Sequence, residues 1–229
     1  MISLRGISKV YGAGDRAVPA LAEIDLDIGA GEAVAVVGRS GSGKTTLLDI
    51  LATLLRPSGG QYLLDGQDLA AADEQALARI RNRRFGFVFQ SFHLLPDLNV
   101  LQNVCLPGRY RQGGTASLDA AARQWLAKLE LGELAERKPA ELSGGQQQRV
   151  AIARAMVTEP DVVFADEPTG NLDAETGETV VQLLLEFAQQ GRTLVLVTHD
   201  RDLADRFPRR IELADGRPVD RAAMVQARA

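Results

Sequence analysis

Two rhythms of apolar and polar residues run along this chain, and each predicts a different kind of element. Glu32 to Val37 is a short, nearly continuous apolar run, which predicts a buried strand, and Thr46 to Leu55 reads as the helix behind it. Phe85 to Phe89, Val162 to Ala165 and Thr193 to Val197 are further apolar strands. Ile2 to Val10 and Leu21 to Ile28 alternate instead, as antiparallel strands with one solvated face do. From about Asp97 to Leu142 the strand signal disappears. Leu118, Ala121, Ala122, Trp125, Leu126 and Leu129 recur there at helical spacing, with Trp125 expected in the core. Gly108, Gly113 and Gly114 predict a loose connection before that helix. Ala174 to Gln190 reads as a long helix with Val180, Leu184 and Phe187 inward, and no strong pattern follows Pro218.

Strands alternating with helices point to an α/β fold with a mostly parallel sheet. The alternating strands add an antiparallel β-subdomain, and the strand-free stretch an inserted helical lobe at approximately 97–158. At 229 residues, 45% of them hydrophobic, the chain suits a single domain spanning 1–229.

Charge and cysteine content narrow the function classes. The net charge is −4, so a general electrostatic grip on nucleic acid is not expected. Arg79, Arg81, Arg83 and Arg84 cluster in a way that fits a solvated helix face. Cys105 is the only cysteine, which leaves no internal disulfide or cysteine-based zinc site and suggests a small buried apolar group. The first residues lack a signal-peptide apolar core, and no run reaches the ~18 apolar residues that would span a bilayer. The expected location is cytoplasmic, unless a partner holds the chain at a membrane.

Gly38, Arg39, Ser40, Gly41, Ser42, Gly43, Lys44 and Thr45 match the phosphate-binding pattern G-x-x-x-x-G-K-[ST], directly after an apolar strand and at the opening of a helix. The glycines let backbone N–H groups approach phosphate oxygens, and the helix N-terminus favours an anion. Lys44 is expected at the β- and γ-phosphates, Thr45 as a magnesium ligand and Thr46 near the α-phosphate. This loop specifies a nucleotide and no more. The strand Val162 to Ala165 then runs into Asp166 and Glu167. Asp166 is placed to hold the magnesium shell, and Glu167 to polarise an attacking water.

Leu142 to Arg149, with Ser143, Gly144, Gly145 and Gln146 at its centre, resembles the signature motif of ATP-binding cassette (ABC) ATPases. The same residues read as an N-capped helix, Ser143 and Gln146 forming a capping box. Other elements of the family stand in order. Tyr11 falls where the family stacks an aromatic on adenine, with Val18 as an apolar neighbour. Gln90 matches the glutamine that touches magnesium, Asp173 the loop that communicates across a dimer, and His199 the switch histidine at the γ-phosphate. The resemblance implies ATP and Mg2+ as cofactors, and two ATP sandwiched in a dimer of two copies. One copy would supply Lys44, Thr45, Asp166, Glu167 and His199, and the other Ser143 and Gly145. An integral membrane permease is the implied partner, which would place the chain at the cytoplasmic face of the inner membrane.

Phe89 to Pro96 and Asp166 to Asp173 resemble the bacterial branch that includes lipoprotein-release and macrolide-export ATPases, with the cell-division ATPase close by. Gln102 replaces the branch's usual glutamate, although Asn99 and Gln102 still form a capping-box-like pair. Leu51-Ala52-Thr53 replaces a more common glycine, and Cys105 is unusual. These departures bear on the partner surface and the branch, and lie outside the nucleotide chemistry. A soluble ABC ATPase acting on DNA or ribosomes is disfavoured by the single phosphate loop and the lack of a long insertion. A regulatory subunit for cell-wall or cell-division enzymes uses the same machinery and stays open.

Overall fold

A computed structural model describes residues 1–110 and 115–219; the expected connection at Gly113 and Gly114 and the tail beyond Val219 lie outside them. Its elements in chain order are β1 (Ile2–Tyr11), β2 (Val18–Ile28), β3 (Ala33–Val37), α1 (Lys44–Leu51), β4 (Gly59–Leu64), β5 (Gln67–Asp68), α2 (Glu74–Arg84), β6 (Phe85–Val88) and α3 (Val100–Cys105). After these come α4 (Thr115–Lys128), α5 (Gly144–Met156), β7 (Val162–Asp166), α6 (Ala174–Gln189), β8 (Thr193–Thr198), α7 (Arg201–Ala204), β9 (Arg209–Ala214) and β10 (Arg217–Val219). The fold is α/β, with parallel strand pairs and a separate antiparallel sheet. The chain divides into two compact units.

The first unit comprises residues 1–73 and the described residues from 195 onward. Its antiparallel sheet has the order β2-β1-β4-β5. β2 alternates as the sequence suggests, whereas in β1 Ser3 is buried together with Ile2 and Leu4 and the inward phase slips by one residue to Ile7. The inward residues Ile2, Leu4, Ile7, Leu21, Ile24 and Ile28 are buried. The register runs from Ile2 opposite Ile28 to Tyr11 opposite Val18, with shifts after Leu4, Ile7 and Lys9. The unit's other strands follow the order β10-β9-β3-β8. All five residues of β3 are buried, as an apolar run covered on both faces requires, and β3 pairs in parallel with β9. α1 is shorter than its apolar pattern suggests. It ends at Leu51, and Thr53 then takes a left-handed φ of 56°.

The second unit comprises residues 74–194. β6 runs parallel to β7, from Phe85 opposite Val162 to Val88 opposite Ala165. Phe164 is buried against Phe85, their rings edge to face at 5.1 Å. Residues 100–156 are helical or irregular where described. α3 opens on the expected capping box: Asn99 accepts from the Gln102 N–H at 2.8 Å and its own N–H donates to Gln102 Oε1 at 3.0 Å. Trp125 departs from its expected place in the core. It is half-buried, with Lys128 Nζ 5.3 Å from its ring centre, because Ala122, Leu126 and Leu129 fill the inner stripe. Cys105 is buried as expected. On α2, Arg79 and Arg83 are exposed, whereas Arg81 pairs with Glu74 and Arg84 with Asp161.

Candidate functional site

In the first unit the chain turns from β3 into the phosphate loop. Gly43 occupies the N-cap of α1 at φ 98°, a conformation closed to most side chains. A Cβ there would also lie 2.5 Å from the Ala20 carbonyl, so the β1–β2 sheet and the loop approach at a spacing that only glycine permits. Lys44 Nζ donates to the carbonyls of Gly38 at 2.9 Å and Arg39 at 3.1 Å, which holds its ammonium across the loop. Ser42 N donates to the Arg39 carbonyl at 3.2 Å, and Gly216 N to the Ser42 carbonyl at 3.1 Å, bracing the loop from within and from the β9–β10 turn.

The Ser42 hydroxyl is buried and finds no hydrogen-bond partner among the described residues. A buried hydroxyl left so is costly unless a ligand completes it, and a phosphate oxygen is a suitable acceptor. On that ground the loop fits a nucleotide. A cavity of about 630 Å³ opens against Gly38, Arg39, Ser40, Gly41 and Ser42, and His199 lines it with them. His199 is exposed there, set between Thr198 at the end of β8 and Asp200 at the cap of α7. Asp200 fixes that bend: its N–H donates to Thr198 Oγ1 at 3.0 Å, and its carboxylate accepts from the N–H groups of Asp202 and Leu203.

Tyr11 and Val18 face each other across the β1–β2 ladder, and both are largely exposed, at 45% and 61%. Two neighbouring apolar side chains in water form a platform for a flat ring. The Tyr11 hydroxyl lies 3.5 Å from Thr46 Oγ1, which ties this platform to the first turn of α1. Thr45 itself is exposed at the start of that helix.

The second unit gathers the remaining candidates. Asp166 ends β7, and Glu167 follows it at a φ of 43°, a left-handed conformation that costs a carboxylic residue strain. The bend continues as Gly170 N donates to the Glu167 carbonyl at 3.1 Å. Gly170 also lies close beside the Gln90 carboxamide: a Cβ on it would be 3.2 Å from Gln90 Nε2 and 3.7 Å from Glu167 Cβ. Gln90 and the Asp166–Glu167 bend therefore meet around Gly170. Ser143 caps α5, accepting from Gln146 N at 3.3 Å while its own N–H donates to Gln146 Oε1 at 2.9 Å. Asp173 caps α6, accepting from Thr176 N at 2.9 Å and Thr176 Oγ1 at 2.8 Å. These bonds hold its carboxyl below the ordinary range, the Thr176 backbone contributing most.

Several supporting residues escaped the sequence reading. Asn171 Nδ2 donates to the Gln90 carbonyl at 3.0 Å, and Gln148 Nε2 to the Pro168 carbonyl at 2.8 Å. Arg154 donates to the carbonyls of both Phe92 and His93. Gln148 and Arg154 sit in a helix whose capping and apolar run were plain, yet nothing in its spacing marks which polar side chain turns inward. No group of three or more His, Cys, Asp or Glu among the described residues could hold a metal by itself. Magnesium commonly takes one or two protein oxygens and completes its shell with phosphate and water, and the Thr45 hydroxyl, Gln90 amide and Asp166 carboxylate are oxygen donors of that kind.

Comparison with known proteins identifies the family. The chain is 48% identical over 220 residues to the macrolide export ATP-binding/permease protein MacB of Marinobacter nauticus, a match covering 96% of this chain and 34% of that protein. It is likewise 48% identical to MacB 2 of Aeromonas hydrophila over 95% of this chain and 34% of the relative. The chain thus spans about a third of the length of these curated relatives. A dimeric structure of MJ0796, a bacterial ABC transporter cassette, superposes with a TM-score of 0.90 at 42% identity over 96% of this chain and 97% of that one. A post-hydrolysis state of the same cassette bound to ADP and Pi also gives 0.90, at 41% identity and the same coverage. With the family described as ABC transporter matching residues 21–170, the chain belongs to the ABC transporter family and is one of its ATPase cassettes.

Proposed function

We propose that this cassette hydrolyses ATP as one half of a two-fold dimer, and that closure of the dimer drives a membrane permease. The observation that carries the reading is the N-terminus of α5, where Ser143 caps a helix that opens on Gly144 and Gly145. Such a helix start presents backbone N–H groups and a favourable dipole to an anion. The chain already has its own phosphate loop, so a second anion site of this kind suits the nucleotide of a second copy. The dimeric form of MJ0796 and its ADP- and Pi-bound form support this.

Within that dimer the residues divide the work. Tyr11 and Val18 seat the adenine, and the loop from Gly38 to Thr45, with Thr46, wraps the phosphates. Lys44 neutralises the β- and γ-phosphates. Thr45, Gln90 and Asp166 would hold Mg2+, which supplies charge stabilisation when bound. Glu167 accepts a proton from the attacking water, and His199 donates a hydrogen bond toward the γ-phosphate. Ser143 and Gly145 come from the opposite copy, with Asp173 beside them, so hydrolysis awaits closure. The close similarity to proteins named macrolide export ATP-binding/permease proteins favours the macrolide-export branch and a place at the cytoplasmic face of the inner membrane. No helix among the described residues is long and apolar enough to cross a membrane, so the permease segment would have to come from elsewhere.

The test uses Glu167→Gln and Lys44→Ala. Glu167→Gln should lower kcat by about 10²- to 10⁴-fold while accumulating an ATP-bound dimer in size-exclusion light scattering. Lys44→Ala should weaken ATP binding and form no such dimer. Turnover unchanged in Glu167→Gln would remove that residue from its role. The trapped Glu167→Gln protein should also retain a membrane protein from solubilised native membranes, and recovery of ribosomal or DNA-repair proteins alone would overturn the permease reading.

A further inference from the structure

Helix α5 opens on two adjacent glycines that meet different surroundings. A Cβ at Gly144 would lie 3.8 Å from the Asn171 carbonyl oxygen and 4.0 Å from the Phe92 ring, which are ordinary contacts. A Cβ at Gly145 would lie 2.9 Å from Thr176 Cγ2 and 3.3 Å from Thr176 Oγ1. Non-bonded carbons rest about 3.5–4.0 Å apart, so Gly145 has no room for a side chain unless Thr176 yields. Thr176 is poorly able to yield. It is β-branched and helical, and its χ1 is further fixed by the hydroxyl bond to Asp173 Oδ2 at 2.8 Å. Its N–H donates to the other Asp173 oxygen at 2.9 Å. The start of α5 thus rests on the first turn of α6, and that contact leads through one side chain to the Asp173 carboxylate.

We propose that Thr176 is a positioning residue joining the Ser143–Gly145 turn to Asp173 within one chain. Its methyl sets how closely Gly145 approaches α6, and its hydroxyl fixes the rotamer of Asp173. The functional half of this inference rests on the reading that Ser143, Gly145 and Asp173 face the second copy. On that reading these elements move as a unit: displacement of the α5 N-terminus presses on the Thr176 methyl and turns the Asp173 carboxylate with it. Glycine at position 145 is then required by the chain's own packing, before any nucleotide arrives. Helix propensity alone argues the opposite sign, because alanine is the better helix former.

The first experiment is thermal melting of the nucleotide-free protein in four variants: Gly144→Ala, Gly145→Ala, Thr176→Ser and Gly145→Ala/Thr176→Ser. Gly144→Ala should leave Tm unchanged or raised, whereas Gly145→Ala should lower it by about 2–4 °C or more. Thr176→Ser removes Cγ2 and keeps the hydroxyl, so the double variant should recover most of the loss. Equal effects at the two glycines, or no recovery in the double variant, would overturn the contact. The second experiment is Thr176→Val, which keeps the methyl and loses the hydroxyl. The Asp173 carboxyl, followed by NMR titration, should move up toward 3.8, and kcat should fall with little change in the KM for ATP. An unmoved titration, or a change in KM alone, would overturn the positioning role. If the melting cycle holds but the wild-type protein hydrolyses no ATP, the proposed function fails and the packing link stands.

Discussion

Gln148 and Pro168 are joined by a buried 2.8 Å hydrogen bond, from the Gln148 carboxamide to the Pro168 carbonyl, which ties the second turn of α5 to the bend just after Glu167. Gln148 is 1% exposed, so neither group can turn to water instead. Glu167 enters that bend with a left-handed φ, and its strained backbone depends on what holds the following residues.

Replacing Gln148 with leucine keeps the volume and deletes the donor. The Pro168 carbonyl is then left with less compensation in a buried setting, at a cost of about 1–3 kcal/mol. Urea denaturation should show that loss, and turnover should fall because the Glu167 bend relaxes. Gln148→Leu with wild-type stability would mean that the bend is held without this bond.

The Tyr11–Val18 pair makes a prediction about the base. An aromatic face contributes about 1–3 kcal/mol of stacking per base, so Tyr11→Ala should weaken ATP binding about 5- to 150-fold. Tyr11→Phe should bind nearly as wild type, because the hydroxyl contact to Thr46 is long at 3.5 Å. Stacking distinguishes bases weakly, so GTP should suffer from Tyr11→Ala as ATP does. Fluorescent-nucleotide titrations check all three.

Asp173 predicts a pH dependence. Its folded carboxyl is held below the ordinary 3.8 by the Thr176 N–H and hydroxyl. A group whose folded pKa is depressed contributes stability above its unfolded pKa, and that contribution is lost as pH falls through the folded value. The part of the stability profile below about pH 4 should therefore be shallower in Asp173→Asn than in the wild type. Parallel profiles from chemical denaturation at each pH would show that Asp173 has no such role.

Parts of the site are legible in the sequence because their chemistry is contiguous. Gly38 to Thr45 carries its whole meaning in eight consecutive residues, and Ser143 with Gln146 announces its cap at fixed spacing. The pairing of Tyr11 with Val18 is different. Alternation reveals which residues share a face of β1 and β2, but the three shifts in register decide who stands opposite whom. Helix α2 gave no apolar stripe, since Leu77 is its one buried residue, and only its arginines hinted at it. The strands β9 and β10 are harder to read because they are short: Ile211 and Leu213 alternate with Arg210 and Glu212 before the Asp215-Gly216 turn, but two apolar positions are too few to mark a strand by themselves. Trp125 looked like core because large apolar residues usually are, whereas small Ala122 took the inner position.

Arg154 braces the turn that follows Gln90. Its guanidinium donates to the carbonyls of Phe92 and His93, residues that sit at left-handed φ values of 56° and 49° just beyond Gln90. Burial pulls its pKa down to about 10, which still leaves it a cation at neutral pH. A charge-assisted bond of this kind contributes about 1.5–3 kcal/mol, and the planar fork reaches the two carbonyls with two separate nitrogens at a fixed spacing, which the single nitrogen of lysine does not reproduce at this position. Arg154→Lys should therefore lose stability despite keeping its charge. Adding His93→Gly, which removes the side-chain penalty of the left-handed turn, should return part of it. The turn bears Gln90, so the Mg2+ concentration needed for half-maximal ATPase should rise in Arg154→Lys and fall back in the double variant. Loss of stability without any change in Mg2+ dependence would make Arg154 a packing residue with no hold on the Gln90 turn.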